Sequence, residues 1–504
     1  MFSAILNAIQ THMMQTPSAP ALVNLCGVTS FGELGSRVQG ILHALASSPD
    51  GTQLIVGHKE PDCVAAMLAC ALTERPFTFA DRSLSAERIS KIAQVTKVTY
   101  VLEAMEGDNP IDLPSIQLSR VPSSPLSETE PLGNDDVVLY IIFTSGSSGE
   151  PKGVPISRHN FAALDGWYTP MLSENQPTGA HVNHSNLAFD MGMFDLWPAL
   201  SLGKPIIMLD HANNIKPRNN LLHLLSCPAA PVSSWASTPS LLQLMCLEPK
   251  FNHAHLPQLG WFVIGGEMVP HSLLRDLQCR FPEAKLMNGY GPSEATCCTH
   301  LHQLVAADAV EGAPMPLGAI IPPSGMRILG PDGLEVPVGE LGEIELSGPQ
   351  VIEHYLPEDH PANVAIGWHN NQRTYRTGDL GRLNEKGDLT ILGRTDRQIK
   401  LHGNRIELDE IERAADGFPP IQKSACIPSR LNGIINGIVL FVQPKSGADV
   451  SRSEIIAHLS RFLLSAAVPR DIRFVDDIPL TMNGKVDNRS LAPLTELQPE
   501  PVTA

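Results

Sequence analysis

Between residues 143 and 153 the sequence reads FTSGSSGEPKG. Three glycines, the hydroxyls of Thr144, Ser145, Ser147 and Ser148, and the ammonium of Lys152 fall in this one stretch. Glycines let backbone N–H groups approach a polyanion, hydroxyls add donors, and a lysine adds a point charge. The residue types suit a phosphate chain. VVLYIIF precedes them directly, which places the stretch at the carboxyl end of a buried strand, where α/β proteins hold ligands. The order G-x-x-x-x-G-K-[ST] is absent, because the lysine comes before the last glycine. Taken alone, a Gly/Ser run also suits a flexible surface loop.

Four more stretches place charged or polar residues in turn-prone surroundings: NLAFDMGMF around Asp190, NGYGPSEAT around Glu294, TGDL around Asp379, and NGKVD around Lys485. Each has an ordinary alternative. Asp190 suits the N-cap of a following helix, NGYGPSE and TGD suit Gly/Pro-type turns, and Asn-Gly-Lys suits an exposed hairpin turn.

The elements that must position these residues alternate through the first three quarters of the chain. TQLIVGH, TYVLEA, VVLYIIFTS, KPIIML and WFVIGG read as short apolar strands, and CVAAMLACALTE reads as a helix with small residues on its packing face. Such alternation predicts parallel sheets covered on both faces. From about Gly318, Asp-Gly and Gly-Glu turns between alternating segments predict antiparallel hairpins instead. A charged break, LGRTDRQIK, separates the strand LTIL from the helix ELDEIERAA. The fold class is therefore α/β: a large N-terminal domain of α/β subdomains plus a β-hairpin-rich subdomain, residues 1–394, and a small α+β C-terminal domain, residues 395–504. The final LQPEPVTA is Pro-rich and expected to fray.

Bulk composition narrows the function. A chain of 504 residues is too long for one core, so at least two domains are expected. A net charge of −17 and 5% aromatic residues argue against nucleic-acid binding, which needs a basic face or stacking platforms. Nine cysteines with no C-x-x-C pair read as reduced thiols. The start, MFSAILNAIQTHMMQ, has no basic n-region and reads as an amphipathic helix. No apolar run reaches the roughly twenty residues a membrane span needs. A cytoplasmic protein without membrane insertion is expected.

In this order the motifs resemble those of the adenylate-forming enzymes: acyl-CoA synthetases, luciferases and the adenylation domains of nonribosomal peptide synthetases. FTSGSSGEPKG looks like their phosphate loop. NGYGPSEAT, YRTGDLGRL, GRTDRQIKLHGNRIELDEIE and TMNGKVDNR resemble their later motifs, so the likeness covers nearly the whole chain. Within the family, STPSLLQLMCLEPKF, GGEMVP and RFPEAKLMNGYGPSEAT resemble the stand-alone D-alanine–carrier-protein ligases. Like them, the sequence closes after the lysine motif with no carrier segment.

The resemblance implies ATP-dependent activation of a carboxylate as an acyl-adenylate, with Mg²⁺, followed by transfer to the phosphopantetheine thiol of a separate carrier protein. It implies that Thr144, Ser145, Gly146, Ser147, Ser148, Gly149 and Lys152 hold the β- and γ-phosphates. Asn288 and Gly289 contact adenine, Tyr290 packs on its face, and Gly291 and Pro292 complete that turn. Ser293 and Glu294 serve the α-phosphate and the metal. Asp379 accepts from the ribose hydroxyls and Arg394 assists at ribose or phosphate. Lys485 bridges the substrate carboxylate and the α-phosphate. Asp396 matches the hinge about which the family's mobile C-terminal domain turns between half-reactions.

Asp190 matches the carboxylate with which amino-acid-activating members hold the substrate ammonium. A buried ammonium without a counter-charge is expensive, so this residue separates amino acids from fatty or aryl acids. Other pocket positions by resemblance are Met191, Phe194, Ser240, Val263, Gly265, Gly289, Cys297 and Cys298. Gly192 departs from the family's usual serine. Gly265 departs from the cysteine usual in D-alanine ligases, which opens the choice between D- and L-enantiomers. The expected substrate is a small neutral, alanine-like amino acid, D or L. The alternative is an acyl-CoA synthetase acting on a small carboxylic acid, and Asp190 speaks against it. Lys152, Asp379 and Lys485 speak against a noncatalytic nucleotide-binding protein.

Overall fold

The computed structural model describes residues 2–104, 111–127, 129–131, 133–144, 152–176, 178–210, 216–226, 231–310, 313–431, 434–479, 486 and 488–495. The chain divides into two units. One comprises Met1–Arg82, Ala93–Phe143 and Gly153–Thr395, and the other Ser83–Ile92, Thr144–Lys152 and Asp396–Ala504.

The apolar runs of the first unit form the expected parallel sheets. In a six-stranded sheet, Thr52–Gly57 lies between Val98–Glu103 and Phe77–Asp81, and Phe77–Asp81 pairs onward with Val138–Thr144, all parallel. Helix Pro61–Leu72 is buried along nearly its whole length, so its alanines and cysteines provide the narrow profile that close packing needs. An eight-stranded sheet carries the parallel strands Lys285–Tyr290, Trp261–Gly265, Val232–Ser237, Ala180–Asn183, Ile206–Met208 and Pro20–Asn24, with an antiparallel strand at each edge. The amphipathic start is helix Phe2–Gln15, whose apolar side is buried.

The change of texture after residue 318 is real. Gly325–Leu329, Gly342–Ser347 and Gln372–Leu383 pair antiparallel in a five-stranded sheet that Leu389–Arg394 and Ile366–His369 complete.

The second unit holds helix Leu408–Asp416 and a three-stranded sheet, Ile421–Leu431, Ile434–Pro444 and Asp471–Phe474, around its own apolar cluster. The charged break contains an element that the sequence reading passed over. Gln398–Leu401 and Asn404–Glu407 form an antiparallel hairpin, turned by His402 at φ 52° and Gly403 at φ 76°. His-Gly lacks the Asn-Gly or Asp-Gly signal by which such turns are read.

Candidate functional site

Strand order in the eight-stranded sheet reverses between Ala180–Asn183 and Val232–Ser237. Open α/β sheets bind ligands outside the carboxyl ends of their strands at such a switch point. The predicted residues of the first unit emerge there or beside it. Asp190 follows Ala180–Asn183, and Ser240 follows Val232–Ser237. Gly265 ends its strand, Gly289 and Tyr290 end the next, and Gly265 pairs with Gly289.

Asp190 is not an N-cap. It is the first residue of the short helix Asp190–Phe194, preceded by Phe189, which makes no capping bond. Gly192 is required there, since a Cβ at this position would lie 2.2 Å from the Asn186 carbonyl oxygen. The glycine lets the helix seat directly on the chain before it. Phe194 is buried against Tyr168, ring centroids 4.1 Å apart, while Met191 is half-buried.

Two motifs meet at Asp190. Its Oδ2 accepts from the Ser293 hydroxyl and its Oδ1 accepts from the Met191 N–H at 2.7 Å. Glu294, next to Ser293, is fully buried and accepts from the Tyr355 hydroxyl at 2.6 Å. The Tyr290 hydroxyl donates to Asp379 Oδ2 at 2.7 Å, and the Arg394 guanidinium donates to Asp379 Oδ1. Burial, then the Asp379 carboxylate, push the Tyr290 phenol well above its usual pKa, so it stays a donor. Each Asp379 oxygen retains a lone pair for a further donor. Asn288 is held by its Nδ2, which donates to the Pro316 carbonyl at 2.9 Å. Ser240 donates through its hydroxyl to Glu267 at 2.6 Å, and Val263 is buried between Ala236 and Met287.

After Glu294 the backbone turns through two left-handed non-glycine residues, Thr296 at φ 54° and Cys297 at φ 68°. Gly291 faces the inside of this turn, where a Cβ would lie 2.6 Å from the Cys297 carbonyl oxygen. Gln350, wholly buried and absent from the sequence-based candidates, clamps the turn. Its Nε2 donates to the Ala295 and Cys298 carbonyls at 3.2 and 2.8 Å, and its own carbonyl accepts from the Thr296 hydroxyl at 2.6 Å. Cys297 and Cys298 are both buried, and burial pushes the Cys298 thiol up to about 12. The Cys298 thiol is packing surface, not a nucleophile at neutral pH.

A second group missed from the sequence lies behind Asp190. His58 bridges Asp81 and Asp210, 2.8 Å on each side. Lys59 donates to the side-chain and main-chain oxygens of Asn183 at 2.6 and 2.8 Å, and His181 contacts Asp195 at 2.7 Å. His-Lys beside a strand end was the only local cue.

Ser145, Gly146, Ser147, Ser148, Gly149 and Lys485 lie outside the described residues, as does the side chain of Thr144. In the second unit, Lys152 is buried at the head of strand Lys152–Ser157. Asp396 is exposed and accepts from the Gln398 N–H at 3.2 Å. Among the described residues no helix is long and apolar enough to cross a membrane.

Parallel sheets ending in a Ser-Glu turn, a Tyr–Asp–Arg cluster and the neighbouring Asp190 carboxylate define an adenylate-forming enzyme. The chain belongs to the AMP-binding enzymes, whose family matches residues 9–356, with the AMP-binding enzyme C-terminal domain matching residues 410–485. It is 31% identical to the D-alanine--D-alanyl carrier protein ligase of Bacillus licheniformis, over 97% of this chain and 98% of that one. The enzyme of the same name from Listeria welshimeri is also 31% identical, over 97% and 99%. Among solved structures, the fold is shared with the Vibrio cholerae adenylation domain AlmE in complex with glycyl-adenosine-5'-phosphate. That match has a TM-score of 0.82 at 22% identity, covering 97% of this chain and 96% of that one.

Proposed function

We propose that the enzyme activates a small neutral amino acid, alanine-like and D or L, as its aminoacyl-AMP. It then transfers the acyl group to the phosphopantetheine thiol of a carrier protein. The observation that carries this reading is the hydrogen bond from Ser293 to Asp190, which joins the nucleotide motif to the ammonium anchor. The curated relatives' name, D-alanine--D-alanyl carrier protein ligase, supports the substrate class and the partner.

In the first half-reaction a carboxylate oxygen of the amino acid attacks the α-phosphorus of ATP, and pyrophosphate leaves with the electrons of the broken P–O bond. Two anions react, so positioning and charge neutralisation are the protein's main tasks. Asp190 takes the ammonium and thereby directs the carboxylate toward Ser293. Asp379 has free lone pairs for the ribose hydroxyls, and Tyr290 and Arg394 fix its orientation. In the second half-reaction the carrier thiol attacks the acyl carbon and AMP departs. Lys152 and the 144–149 loop are assigned to the phosphates and Lys485 to the reacting carboxylate, both on sequence resemblance.

Mg²⁺ commonly takes one or two carboxylates plus phosphate oxygens. Glu294, buried and accepting from the Tyr355 hydroxyl, is the carboxylate proposed to hold it; the ion would neutralise phosphate charge. A cytoplasmic location is supported by the eight described cysteines, all of them free thiols.

The deciding experiment is ATP–pyrophosphate exchange with magnesium across D- and L-amino acids and short carboxylic acids. Mass spectrometry of a phosphopantetheinylated carrier then reads the transfer. Exchange with a small amino acid is expected; exchange only with simple acids, with loading of free CoA, makes the enzyme an acyl-CoA synthetase.

A further inference from the structure

The helix that carries Asp190 is a single turn, too short to hold its own place. Gly192 seats it on Asn186 from one side. From the other side it is held by Asn183. This residue is wholly buried at the end of its strand, and its Nδ2 donates to the Gly192 carbonyl at 2.9 Å and to Asp195 Oδ1 at 2.7 Å. The orientation of that amide is dictated by its neighbours. As an ammonium, Lys59 Nζ can only donate, and it approaches the Asn183 Oδ1 at 2.6 Å and its main-chain oxygen at 2.8 Å. The amide oxygen must face the lysine and the NH₂ must face the two acceptors. Asp195 is steadied in turn by His181, whose other ring nitrogen meets the Ser234 hydroxyl at 2.9 Å.

We propose that Lys59 and Asn183 are positioning residues for the amino-acid substrate, holding the Gly192 peptide and through it the Asp190 carboxylate where the ammonium must bind. This rests on the reading of Asp190 given above. Neither residue touches substrate, ATP or the reacting atoms.

Lys59 also makes the support sensitive to pH. Burial lowers its pKa to about 7, against the pull of Asp195, Asp210 and Asp81. His58, bridging Asp81 and Asp210, and His181, on Asp195, are further titratable groups of this network. Above about pH 7 the amine turns neutral, grips Asn183 less firmly, and the amino-acid KM rises.

The test is steady-state ATP–pyrophosphate exchange with the full-length enzyme, varying amino acid and ATP in turn, for wild type, Asn183→Ala, Lys59→Gln and Asp190→Asn. Asn183→Ala is expected to raise the amino-acid KM by about tenfold or more and to move the ATP KM by less than about twofold. Lys59→Gln keeps a neutral donor, so it is expected to raise the amino-acid KM modestly and flatten its rise above neutral pH. Equal movement of both KM values, or a lower melting temperature with both KM values unchanged, overturns the proposal. If Asn183→Ala does not fold, Lys59→Gln carries the test through its pH profile; if neither folds, the network is a folding element and the proposal falls. Asp190→Asn separates the two readings. A large rise in amino-acid KM there with none in Asn183→Ala sinks only this inference, whereas no rise in Asp190→Asn sinks the substrate assignment itself.

Discussion

The Ser293 hydroxyl donates to the Asp190 carboxylate across 103 positions of sequence. One residue belongs to the motif assigned to the α-phosphate, the other to the motif assigned to the ammonium. On the proposed assignment, a bond between them would fix the spacing of two reactants before either arrives, and such fixed spacing is a large source of rate when two anions must meet.

A shared bond predicts a shared defect. Ser293→Ala is expected to lower kcat/KM for the amino acid and for ATP together, each by about tenfold, the cost of one charge-assisted hydrogen bond. Combined with Asp190→Asn, its effect on the amino-acid term is expected to be much less than additive, because the second change removes what the first has already lost. Full additivity in the double-mutant cycle would show that the contact does not couple the sites.

Gly265 sets a second expectation. An added Cβ there would lie 3.1 Å from the Gly289 carbonyl oxygen, a tight approach that backbone relieves only by a few tenths of an ångström. At Gly289 the same addition meets Cys298 and Leu301 side-chain atoms at 3.6 Å and the Ile264 carbonyl oxygen at 3.7 Å, all ordinary contact distances. Gly265→Cys therefore forces its side chain off the neighbouring strand and into the substrate space, whereas Gly289→Ala only trims that space. The D/L ratio for alanine in pyrophosphate exchange is expected to change by about tenfold in Gly265→Cys, within the range of one methyl-sized contact. An unchanged ratio removes Gly265 from the chirality argument.

The parallel sheets were legible because burial on both faces writes itself as unbroken apolar runs, as in Thr52–Gly57 and Trp261–Gly265. The motif residues were legible because glycine and proline mark the turns that carry them. Gln350, Asn183 and Lys59 were not. Their contacts are set by the fold and not by a repeat: 183 positions separate Gln350 from Trp167, 124 separate Lys59 from Asn183, and Asn183 reaches Gly192 and Asp195 across 9 and 12. Periodicity cannot report such pairings. The hairpin at 398–407 was hidden for a different reason: Lys400 and Arg405 face each other across it, and charges on a short strand read as a loop.

Gln350 yields a stability prediction. Its Oε1 accepts from Trp167 Nε1 at 3.1 Å and from the Ser324 hydroxyl at 3.2 Å, while its Nε2 holds two carbonyls of the left-handed turn. Gln350→Ala would strand several buried polar groups and release a turn that costs free energy to maintain. A loss of about 3 kcal/mol is expected from urea unfolding. Gln350→Glu is expected to be no better, since a carboxylate would press oxygens on the Ala295 and Cys298 carbonyls. A loss within about 0.5 kcal/mol, the range of an ordinary surface change, would mean the turn holds itself.

His58 gives a dependence on pH. Burial lowers its pKa, but the Asp81 and Asp210 carboxylates on either side outweigh that and raise it above the ordinary histidine value. A raised folded pKa means that the native state binds the proton more tightly. The stabilisation is then complete below about pH 6.5, the unfolded value, and is lost as pH climbs through the folded value. Lys59 works in the opposite sense: its pKa is lowered to about 7, so its charge is a cost to the native state below that pH, and the cost is relieved as pH rises toward the unfolded value of about 10.4. The wild-type curve mixes the two. The difference between wild type and His58→Asn cancels most of the lysine term, and in urea midpoints from about pH 5.5 to 8.5 it is expected to be largest at the acid end and to shrink with rising pH. A difference that stays constant across that range would mean His58 is held between its carboxylates as a neutral ring.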